Sequence, residues 1–398
     1  MIIQPVIQGV IAKSAHPHGC EAAVQQQIDY VRSAKQITNG AKRVLILGAS
    51  SGFGLAARIA ATFGGSEADT IGVSFERGPS EKGTGSAGWY NNIYFKKQAE
   101  AEGRIAINIV GDAFSRRVRE QVVEAIETYF EGEVDLIIYS LATGVRPKRN
   151  GEGMWRSAIK TIGESASGAT IMLEDDSWQE TIVEPATEEE IESTIKVMGG
   201  GDWEEWIDTL INSDSIAPGC KTIAFSYIGP QATYPIYHEG TLGRAKVDLH
   251  QTSHALNMKM ANFGGGAYAT VCKALVTKAS VFIPAFTPYI LALYKVMKKH
   301  GTHEDCIGQM QRLFADKLYQ PFVPVDGQRL LRMDEFELDE KIQREVAELM
   351  QHMDKDNFHA VADYQGYKNE FLKLNGFGFE QIDYDQPVDM DELIKLTP

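Results

Sequence analysis

The sequence has little cysteine, and the four cysteines that it contains are widely scattered: Cys20, Cys220, Cys272 and Cys306. No Cys-x-x-Cys spacing occurs, so we expect neither a zinc site nor a disulfide framework, and the pattern is typical of a reducing, cytoplasmic setting. Basic residues are also in the minority, with 39 Lys and Arg against 54 Asp and Glu and a net charge of −15. This balance argues against nucleic acid or an anionic membrane surface as the main partner.

A membrane-spanning run is lacking as well. The most apolar segment, 279–296, contains Pro284 and Pro288 and falls just short of a bilayer span. Residues 1–10 have neither the basic start nor the apolar run of a signal peptide. We therefore expect no membrane insertion, and we interpret segment 279–296 as buried core or as a wall that faces a ligand.

What the sequence does contain is a strand–glycine–helix unit between Arg43 and Ala61. Residues 44–47 form a continuous apolar run, which is typical of a parallel strand buried on both faces. A glycine-rich turn joins this strand to an alanine-rich helix predicted over 55–63. Glycine lets the backbone approach a pyrophosphate closely, and the N–H groups at the helix start face the anion. The alternative is a tight turn without a ligand. The predicted cofactor cradle consists of Gly48, Ala49, Ser50, Ser51, Gly52, Phe53 and Gly54.

Strands and helices alternate regularly after this unit, which predicts an α/β fold with a doubly wound parallel sheet. The second strand, 70–75, ends at Phe75 and is followed by Glu76. A carboxylate at this place can accept hydrogen bonds from the adenosine ribose and repels a 2′-phosphate, which favours NADH over NADPH. The alternative for Glu76 is a solvated side chain at a strand end.

The third and fourth strands end in further candidates for cofactor contact. Strand 105–110 leads to Asp112 and Ala113, where an acid can lie beside the adenine, although a helix N-cap is an open alternative. Strand 134–139 leads to a turn that we expect to line the cofactor, because ligands bind beyond the carboxyl ends of such strands. This turn consists of Ser140, Leu141 and Ala142.

The remaining segments are predicted more coarsely. Residues 1–12 suggest a short hairpin; His16 and His18 lie in a turn without an evident third metal ligand, so we expect no metal site. Residues 144–186 are mixed and polar, and we interpret them as an insertion. Further expectations are a helix over 21–34, a capping box at Thr187-x-x-Glu190, a helix over 203–211, strands over 221–226 and 267–274, and a largely helical region from about 300 to 375.

Two tyrosine–lysine pairs stand four residues apart, Tyr294/Lys298 and Tyr364/Lys368. Such spacing places both side chains on one helix face, as many dinucleotide-dependent reductases require for a proton donor and a cation. The first pair lies within the apolar helix, and the second has a glycine between its members. Neither follows the expected fourth or fifth strand, so we interpret both as coincidental.

Tyr237 and Lys246 are nine residues apart, which on one continuous helix would point them to opposite faces. They converge only if the helix begins between them. Gly240 and Thr241 supply such a start, with Thr241 predicted as the N-cap. Tyr237 then lies in the preceding turn and Lys246 projects from the second turn. A surface tyrosine and an exposed lysine are the alternative.

The GASSGFG motif, Glu76 after its strand, the Tyr-x8-Lys spacing and the LVTKAS segment resemble the large bacterial NADH-dependent trans-2-enoyl-ACP/CoA reductases. The resemblance covers essentially the whole chain. It implies one enlarged Rossmann domain of the short-chain dehydrogenase/reductase type over 1–398, with an N-terminal hairpin and extra helices. Within it we expect a dinucleotide-binding and catalytic core at 40–143 and 187–278, an insertion at 144–186, and a substrate-binding, C-terminal helical part at 279–398.

The same resemblance implies that the chain reduces the trans-2 double bond of an enoyl-CoA or enoyl-acyl carrier protein with NADH, as a cytoplasmic monomer in fatty acid biosynthesis. Tyr237 would donate the proton and Lys246 would bind the cofactor and lower the pKa of Tyr237. Tyr227 would contact the substrate. The nicotinamide end of the cofactor would be contacted by Leu275, Val276 and Thr277.

Two other functions stay open at this point. A carbonyl reductase of the same fold would use a tyrosine–lysine pair four residues apart, so substitution of Tyr294 or Tyr364 tests it. A non-catalytic dinucleotide sensor would keep the glycine loop and lose the catalytic tyrosine, whereas a plausible tyrosine and lysine are both present in this sequence.

Overall fold

The computed structural model describes residues 1–80, 83–149 and 151–398, and its centre is a seven-stranded parallel sheet. In chain order the strands are β1 (Ile7–Gln8), β2 (Ile11–Ala12), β3 (Arg43–Leu47), β4 (Asp69–Ser74), β5 (Ala106–Val110), β6 (Val134–Tyr139), β7 (Val145–Pro147), β8 (Met154–Arg156), β9 (Ala166–Met172), β10 (Ser177–Val183), β11 (Ile216–Ser226), β12 (Gly266–Val271) and β13 (Leu331–Arg332).

The helices flank this sheet and fill the C-terminal region. They are α1 (Pro17–Ser33), α2 (Gly52–Phe63), α3 (Ala87–Ala101), α4 (Arg116–Tyr129), α5 (Glu188–Met198), α6 (Gly201–Asn212), α7 (Thr241–Ala261), α8 (Thr287–Lys299), α9 (Cys306–Arg312), α10 (Glu340–His352), α11 (Phe358–Val361), α12 (Tyr364–Lys373) and α13 (Met390–Lys395). Short 3₁₀ turns cover Gln231–Thr233 and Ser280–Phe282, and a π-helical turn covers Leu313–Leu318.

The strand order of the sheet is β13-β12-β11-β6-β3-β4-β5. The chain runs outward from β3 to β5 and then returns to β6 on the other side of β3, so the order reverses between β3 and β6. Open α/β sheets bind ligands at such a switch point. Here the Ser140 amide donates to the Leu47 carbonyl at 2.8 Å. A Cβ on Gly48, whose φ is +90°, would lie 2.3 Å from the Ser140 oxygen, so this position requires glycine.

Strand β3 shows how the core is divided by the sheet. Val44 and Ile46 pack on one side with α1, α2, α3 and α9, whereas Leu45 and Leu47 pack on the other with α4, α6 and α7. Both sets are fully buried, which explains why the sequence shows a continuous apolar run there. The apolar segment 279–296 lies in a separate cluster with α10 and α12, and most of α8 is buried in it.

Several predicted elements are confirmed with small shifts in their ends. The N-terminal hairpin forms between β1 and β2, and the strand predicted over 134–139 is β6. Helix α2 begins at Gly52 rather than at residue 55, so two of the predicted cradle glycines belong to its first turn. The helix expected over 21–34 begins earlier, at Pro17, and His16 is its N-cap rather than part of a turn. His16 Nδ1 accepts from the Gly19 amide at 3.3 Å.

The segment 144–186, predicted as an insertion, contains regular structure that the sequence pattern did not reveal. Strands β7 and β8 form one antiparallel hairpin, and β9 and β10 form a second. The second hairpin is attached to the C-terminal region, because Asp176 at its turn accepts hydrogen bonds from Tyr364 and Lys368. The Ala285 amide donates to Thr170 Oγ1 at 3.1 Å, which joins β9 to the segment before α8.

The first and last parts of the chain meet. The Val388 amide donates to the Met1 carbonyl at 2.8 Å, and Gln4 Nε2 donates to the Tyr384 carbonyl at 3.2 Å. Among the helices of the described residues, none has the length and apolar character needed to cross a membrane.

The predicted capping box at the start of α5 is confirmed and yields a test of local stability. Thr187 Oγ1 accepts from the Glu190 amide at 3.2 Å, and Glu190 Oε2 accepts from the Thr187 amide at 2.9 Å. Thr187→Ala should lower the free energy of unfolding by about 1 kcal/mol, measured by urea denaturation. The matched control is Thr128→Ala, an exposed position inside α4 where alanine favours the helix. Equal stability of both variants would contradict the capping role.

Candidate active site

A groove of about 470 Å³ opens at the switch point, along the carboxyl ends of β3, β4, β5 and β6. It brings together most of the residues predicted to bind a dinucleotide. The predicted residues that line it are Gly48, Ser50, Ser51, Gly52, Phe53, Phe75, Asp112, Ala113, Ser140, Leu141, Ala142 and Thr277. The sequence-predicted cradle and strand ends therefore form one continuous surface.

The start of α2 fits a pyrophosphate for two geometric reasons. Its N-cap, Ser51, makes no side-chain capping bond, and no side chain of the residues that the structure describes accepts from the first N–H groups of the helix. Gly52 has a φ of +54°, and a Cβ on Gly54 would lie 1.9 Å from the Gly48 carbonyl oxygen. Ala49 and Gly54 do not line the groove; Ala49 is buried beneath the turn and Gly54 allows its tight packing.

Glu76 lies two residues beyond the end of β4, not directly at it. Its carboxylate accepts hydrogen bonds from Ser50 Oγ and Ser86 Oγ, which hold it between the glycine turn and the start of α3. A side chain at Gly88 would collide with this carboxylate. Two hydroxyls thus fix the acid beside Ser50, which lines the groove, although Glu76 itself does not line it.

Asp112 was open to two interpretations, and the structure excludes one of them. Helix α4 takes Ser115 as its N-cap, with Ser115 Oγ accepting from the Val118 amide at 3.2 Å. The Asp112 carboxylate accepts from the Phe114 amide at 2.9 Å and lines the groove. Asp112 is therefore not the helix cap.

A second cavity of about 210 Å³ adjoins the groove and shares Phe53, Ser140 and Thr277 with it. Tyr227, Tyr237, Lys246 and Leu275, all predicted site residues, line this cavity. Tyr237 and Lys246 thus meet at one surface despite their spacing of nine residues. Apolar side chains complete the wall: Ile159, Met198, Leu242, Leu249, Ile283 and Phe286.

The convergence of Tyr237 and Lys246 depends on where α7 begins. The helix starts at Thr241, so Tyr237 lies in the preceding turn and Lys246 on the second helical turn, as predicted. The predicted cap is wrong, because the N-cap is Gly240 and Thr241 is the first helical residue. Thr241 Oγ1 donates instead to the Ala158 carbonyl at 2.5 Å, a contact with a distant segment that local sequence does not reveal.

The two catalytic candidates differ in protonation and in hydrogen bonding. Burial raises the pKa of Tyr237, so its hydroxyl keeps its proton at neutral pH. Burial lowers the pKa of Lys246 to about 8, and its ammonium donates to the Phe225 carbonyl at 3.1 Å. The expectation that Lys246 lowers the pKa of Tyr237 is therefore wrong. Among the described residues Tyr237 Oη has no hydrogen-bond partner, which leaves its proton available to a ligand.

Tyr227 packs against Tyr237, but its hydroxyl has a hydrogen-bond partner. The two rings meet edge to face, with centroids 4.8 Å apart and an interplanar angle of 87°. Tyr227 Oη donates to Glu337 Oε1 at 2.8 Å. Its place in the cavity supports contact with a substrate through the ring, while its hydroxyl proton points away to the carboxylate.

Val276 lines neither the groove nor the second cavity, unlike Leu275 and Thr277, the other predicted residues of its segment. Its amide donates to Tyr294 Oη at 3.0 Å, and Tyr294 donates to Glu370 Oε2 at 2.7 Å. Tyr294 is thus a buried structural residue. Lys298 pairs with Asp363 at 2.6 Å.

The second tyrosine–lysine pair with a spacing of four is also structural, since Tyr364 and Lys368 both bond Asp176. No member of either pair lines the groove or the second cavity. This removes the observation on which a carbonyl reductase with such a pair would rest.

Sequence reasoning missed two contributors to the site. Hairpin β7–β8 places Val145, Pro147 and Met154 along the groove, although its segment showed no clear periodicity. Glu337 contacts Tyr227 but lies in an acid-rich stretch, 334–340, where nothing distinguishes one carboxylate from its neighbours. The resulting arrangement offers a protonated phenol and an ammonium group beside a dinucleotide groove, which suits hydride transfer coupled to protonation.

Three family models match successive parts of the chain. Residues 83–319 match the trans-2-enoyl-CoA reductase catalytic region, and residues 2–81 match the NAD(P)H binding domain of trans-2-enoyl-CoA reductase. Residues 325–388 match a model described as an enoyl reductase FAD binding domain. The residues matched by the first two models include those that line the groove and the second cavity.

The segment 325–388 does not fit a flavin dinucleotide. A pyrophosphate is held well by open N–H groups at a helix start, but the two longest helices of this segment, α10 and α12, begin at acids. Asp339 accepts from the Lys341 and Ile342 amides at the start of α10, and Asp363 accepts from the Gly366 amide at the start of α12. These carboxylates would repel a phosphate, so we assign no flavin chemistry to this segment.

Relatives of known name are similar over the full length. The chain is 69% identical to an enoyl-[acyl-carrier-protein] reductase [NADH] 2 of Vibrio parahaemolyticus and 48% identical to a trans-2-enoyl-CoA reductase [NADH] of Clostridium beijerinckii, covering all of each chain. A crystal structure of Clostridium acetobutulicum trans-2-enoyl-CoA reductase in complex with NADH is 45% identical, with a TM-score of 0.97 over all of both chains. The protein with this groove and this tyrosine–lysine pair belongs to the trans-2-enoyl-CoA reductase family.

Proposed function

We propose that this chain is an NADH-dependent enoyl thioester reductase that saturates the trans-2 double bond of enoyl-CoA or enoyl-acyl carrier protein. One observation carries the proposal: Tyr237 and Lys246 line one cavity that is continuous with the glycine groove, and the Tyr237 hydroxyl has no partner in the part of the chain that the structure describes. Full-length similarity to reductases of both named kinds supports it.

The groove residues fit a bound dinucleotide, which when bound supplies the hydride for the β-carbon of the enoyl thioester. The open start of α2 would hold the pyrophosphate, Glu76 the adenosine ribose, and Asp112 the region of the adenine. Lys246 would bind the nicotinamide ribose. Leu275 and Thr277, which line the second cavity, would lie near the reacting end, whereas Val276 would act through its backbone contact with Tyr294.

Tyr237 acts on the charge that the reaction creates. Hydride addition at the β-carbon places negative charge on the thioester oxygen, and the protonated phenol donates to it. The high pKa of Tyr237 keeps the proton on the enzyme until that charge develops. Ile283 and Phe286 belong to the apolar wall that would receive the acyl chain.

The remaining assignments are part of the same proposal. The chain works as a cytoplasmic monomer in fatty acid biosynthesis, and its parts act as one domain. The core at 40–143 and 187–278 holds the cofactor and the catalytic pair, the insertion at 144–186 closes the groove edge, and the part at 279–398 binds substrate. The grooved surface, the hairpin contacts and the apolar wall support this division.

The activity test is oxidation of NADH in the presence of crotonyl-CoA. Tyr237→Phe keeps the ring and removes the donor, so kcat should fall by about 10²–10⁴-fold while NADH affinity changes little. Steady-state kinetics of Tyr227→Phe provides the neighbouring comparison, and its loss should be smaller. If Tyr227→Phe abolishes turnover and Tyr237→Phe does not, the proton donor has been misassigned.

A second prediction concerns the glycine cradle. Gly52→Val should weaken NADH binding by at least about tenfold, equivalent to about 1.4 kcal/mol, because a branched side chain would stand where the pyrophosphate approaches. Gly103→Val is the matched control, since Gly103 also has a positive φ, +71°, but lies in an exposed turn with no atom within 4 Å of an added Cβ. Fluorescence titration of both variants should separate backbone strain from lost binding. Equal affinities would place the cofactor elsewhere.

A third prediction follows from the lowered pKa of Lys246. Its ammonium form is present below a pH of about 8 and is lost above it, so NADH affinity should decline as the pH rises through that value. The decline should approach roughly tenfold per pH unit if the charged form alone binds well. Lys246→Arg, which stays charged, should lack this decline in fluorescence titrations. The same decline in the arginine variant would mean that another group titrates.

A further inference from the structure

The carboxylate of Glu337 is fully buried and touches the wall of the second cavity from behind. Its Oε1 accepts from Tyr227 Oη at 2.8 Å and from Tyr289 Oη at 2.6 Å. Its Oε2 accepts from the Ala274 amide at 2.7 Å. All three partners act as donors, which defines the direction of every hydrogen bond around this acid.

Opposing influences act on the carboxyl group of Glu337. Burial leaves its pKa above the ordinary value, although the Tyr289 hydrogen bond and the charge of Lys273 oppose that rise. Lys273 is itself buried and donates to the Ala274 carbonyl at 3.0 Å. The Ala274 amide has a proton and no lone pair to offer, so it requires an acceptor in Glu337.

The direction of the Tyr227 hydrogen bond limits what that residue can do. A tyrosine hydroxyl has a single proton, and the Tyr227 proton is directed to Glu337. Toward the cavity Tyr227 can therefore offer only a lone pair, which a thioester oxygen cannot use. Tyr237, whose hydroxyl has no partner among the described residues, keeps its proton for the cavity.

We propose that Glu337 is a positioning residue that directs the Tyr227 proton away from the substrate, so that Tyr237 is the sole proton donor. The same bond fixes the Tyr227 ring, against which the Tyr237 ring packs edge to face. This inference rests on the proposed role of Tyr237. Glu337 touches neither the cavity nor the reacting atoms and acts through Tyr227.

Glutamine at position 337 has nearly the same shape as glutamate, but it should reverse the direction of the hydrogen bonds to the Tyr227 and Tyr289 hydroxyls. The buried Ala274 amide needs an acceptor, so the amide oxygen of the glutamine would face it. The NH₂ group would then face Tyr227 and Tyr289 and donate to their oxygens. Tyr227 would be released from donating to position 337, and its own proton could turn toward the cavity.

The experiment compares Tyr237→Phe with the double variant Tyr237→Phe/Glu337→Gln, using NADH and crotonyl-CoA. The single variant should lose most of its turnover. The kcat of the double variant should be about tenfold higher than that of Tyr237→Phe, which is part of the contribution of a general acid. Adding Tyr227→Phe to the double variant should abolish the recovery. A residue that merely supports the fold would add to the loss rather than reverse it.

Two control variants distinguish a redirected Tyr227 proton from a general effect of removing a carboxylate. Tyr237→Phe/Glu335→Gln removes a carboxylate that pairs with Arg312 and Lys317 outside the site, and it should show no recovery. Tyr237→Phe/Tyr227→Phe should be no less active than Tyr237→Phe, because the Tyr227 proton is already withheld; this arm does not require a substitution at Glu337. NADH titration and thermal unfolding establish that each variant is folded.

Each outcome has a distinct meaning. Full activity of Tyr237→Phe would overturn the proposed donor itself. An inactive Tyr237→Phe that Glu337→Gln does not rescue, or that loses further activity with Tyr227→Phe, would leave the donor intact and overturn the role of Glu337.

Discussion

The close contact between two turns at the switch point is the constraint on which the rest of the structure depends. Gly48 follows β3 and Ser140 follows β6, and their backbones approach too closely for any side chain at Gly48. Because that contact is made by backbone atoms, it uses no side chain of the adjoining strands β3 and β6. Their apolar side chains pack into the two core layers. The same contact opens the groove at its edge. Fold and binding surface therefore have one physical origin.

The C-terminal region is part of the site because it supplies hydrogen-bond acceptors to a buried segment. Glu337 accepts from the Ala274 amide, and Tyr294, held by Glu370, accepts from the Val276 amide. A buried amide left without a partner costs about 1–3 kcal/mol, so these acceptors stabilise the segment that carries Ala274 and Leu275 in the wall of the second cavity. Residues far apart in the chain thus shape one short wall of the site.

Much of this arrangement was predictable from local sequence, and the exceptions share a cause. Strand β6 and the capping box at Thr187 follow from short-range patterns of apolar and polar residues. The cap at Thr241 was predicted wrongly, because its hydroxyl is taken by Ala158, a distant residue. Glu337 was not recognised, since its role comes from a tyrosine on another strand end and not from its neighbours. Where a side chain meets a distant partner, the local pattern loses its predictive value.

The meeting of the two ends of the chain has a consequence for how the protein is made. Backbone pairing of Val388 with Met1, and the bond between Gln4 and the Tyr384 carbonyl, join segments at opposite ends of the sequence. During synthesis the N-terminal segment emerges first and finds its partners last. Such contacts of maximal sequence separation carry a large loop-closure cost and slow the final step of folding. Residues 1–4, made early, would thus complete their packing only after the segment around Val388 has emerged.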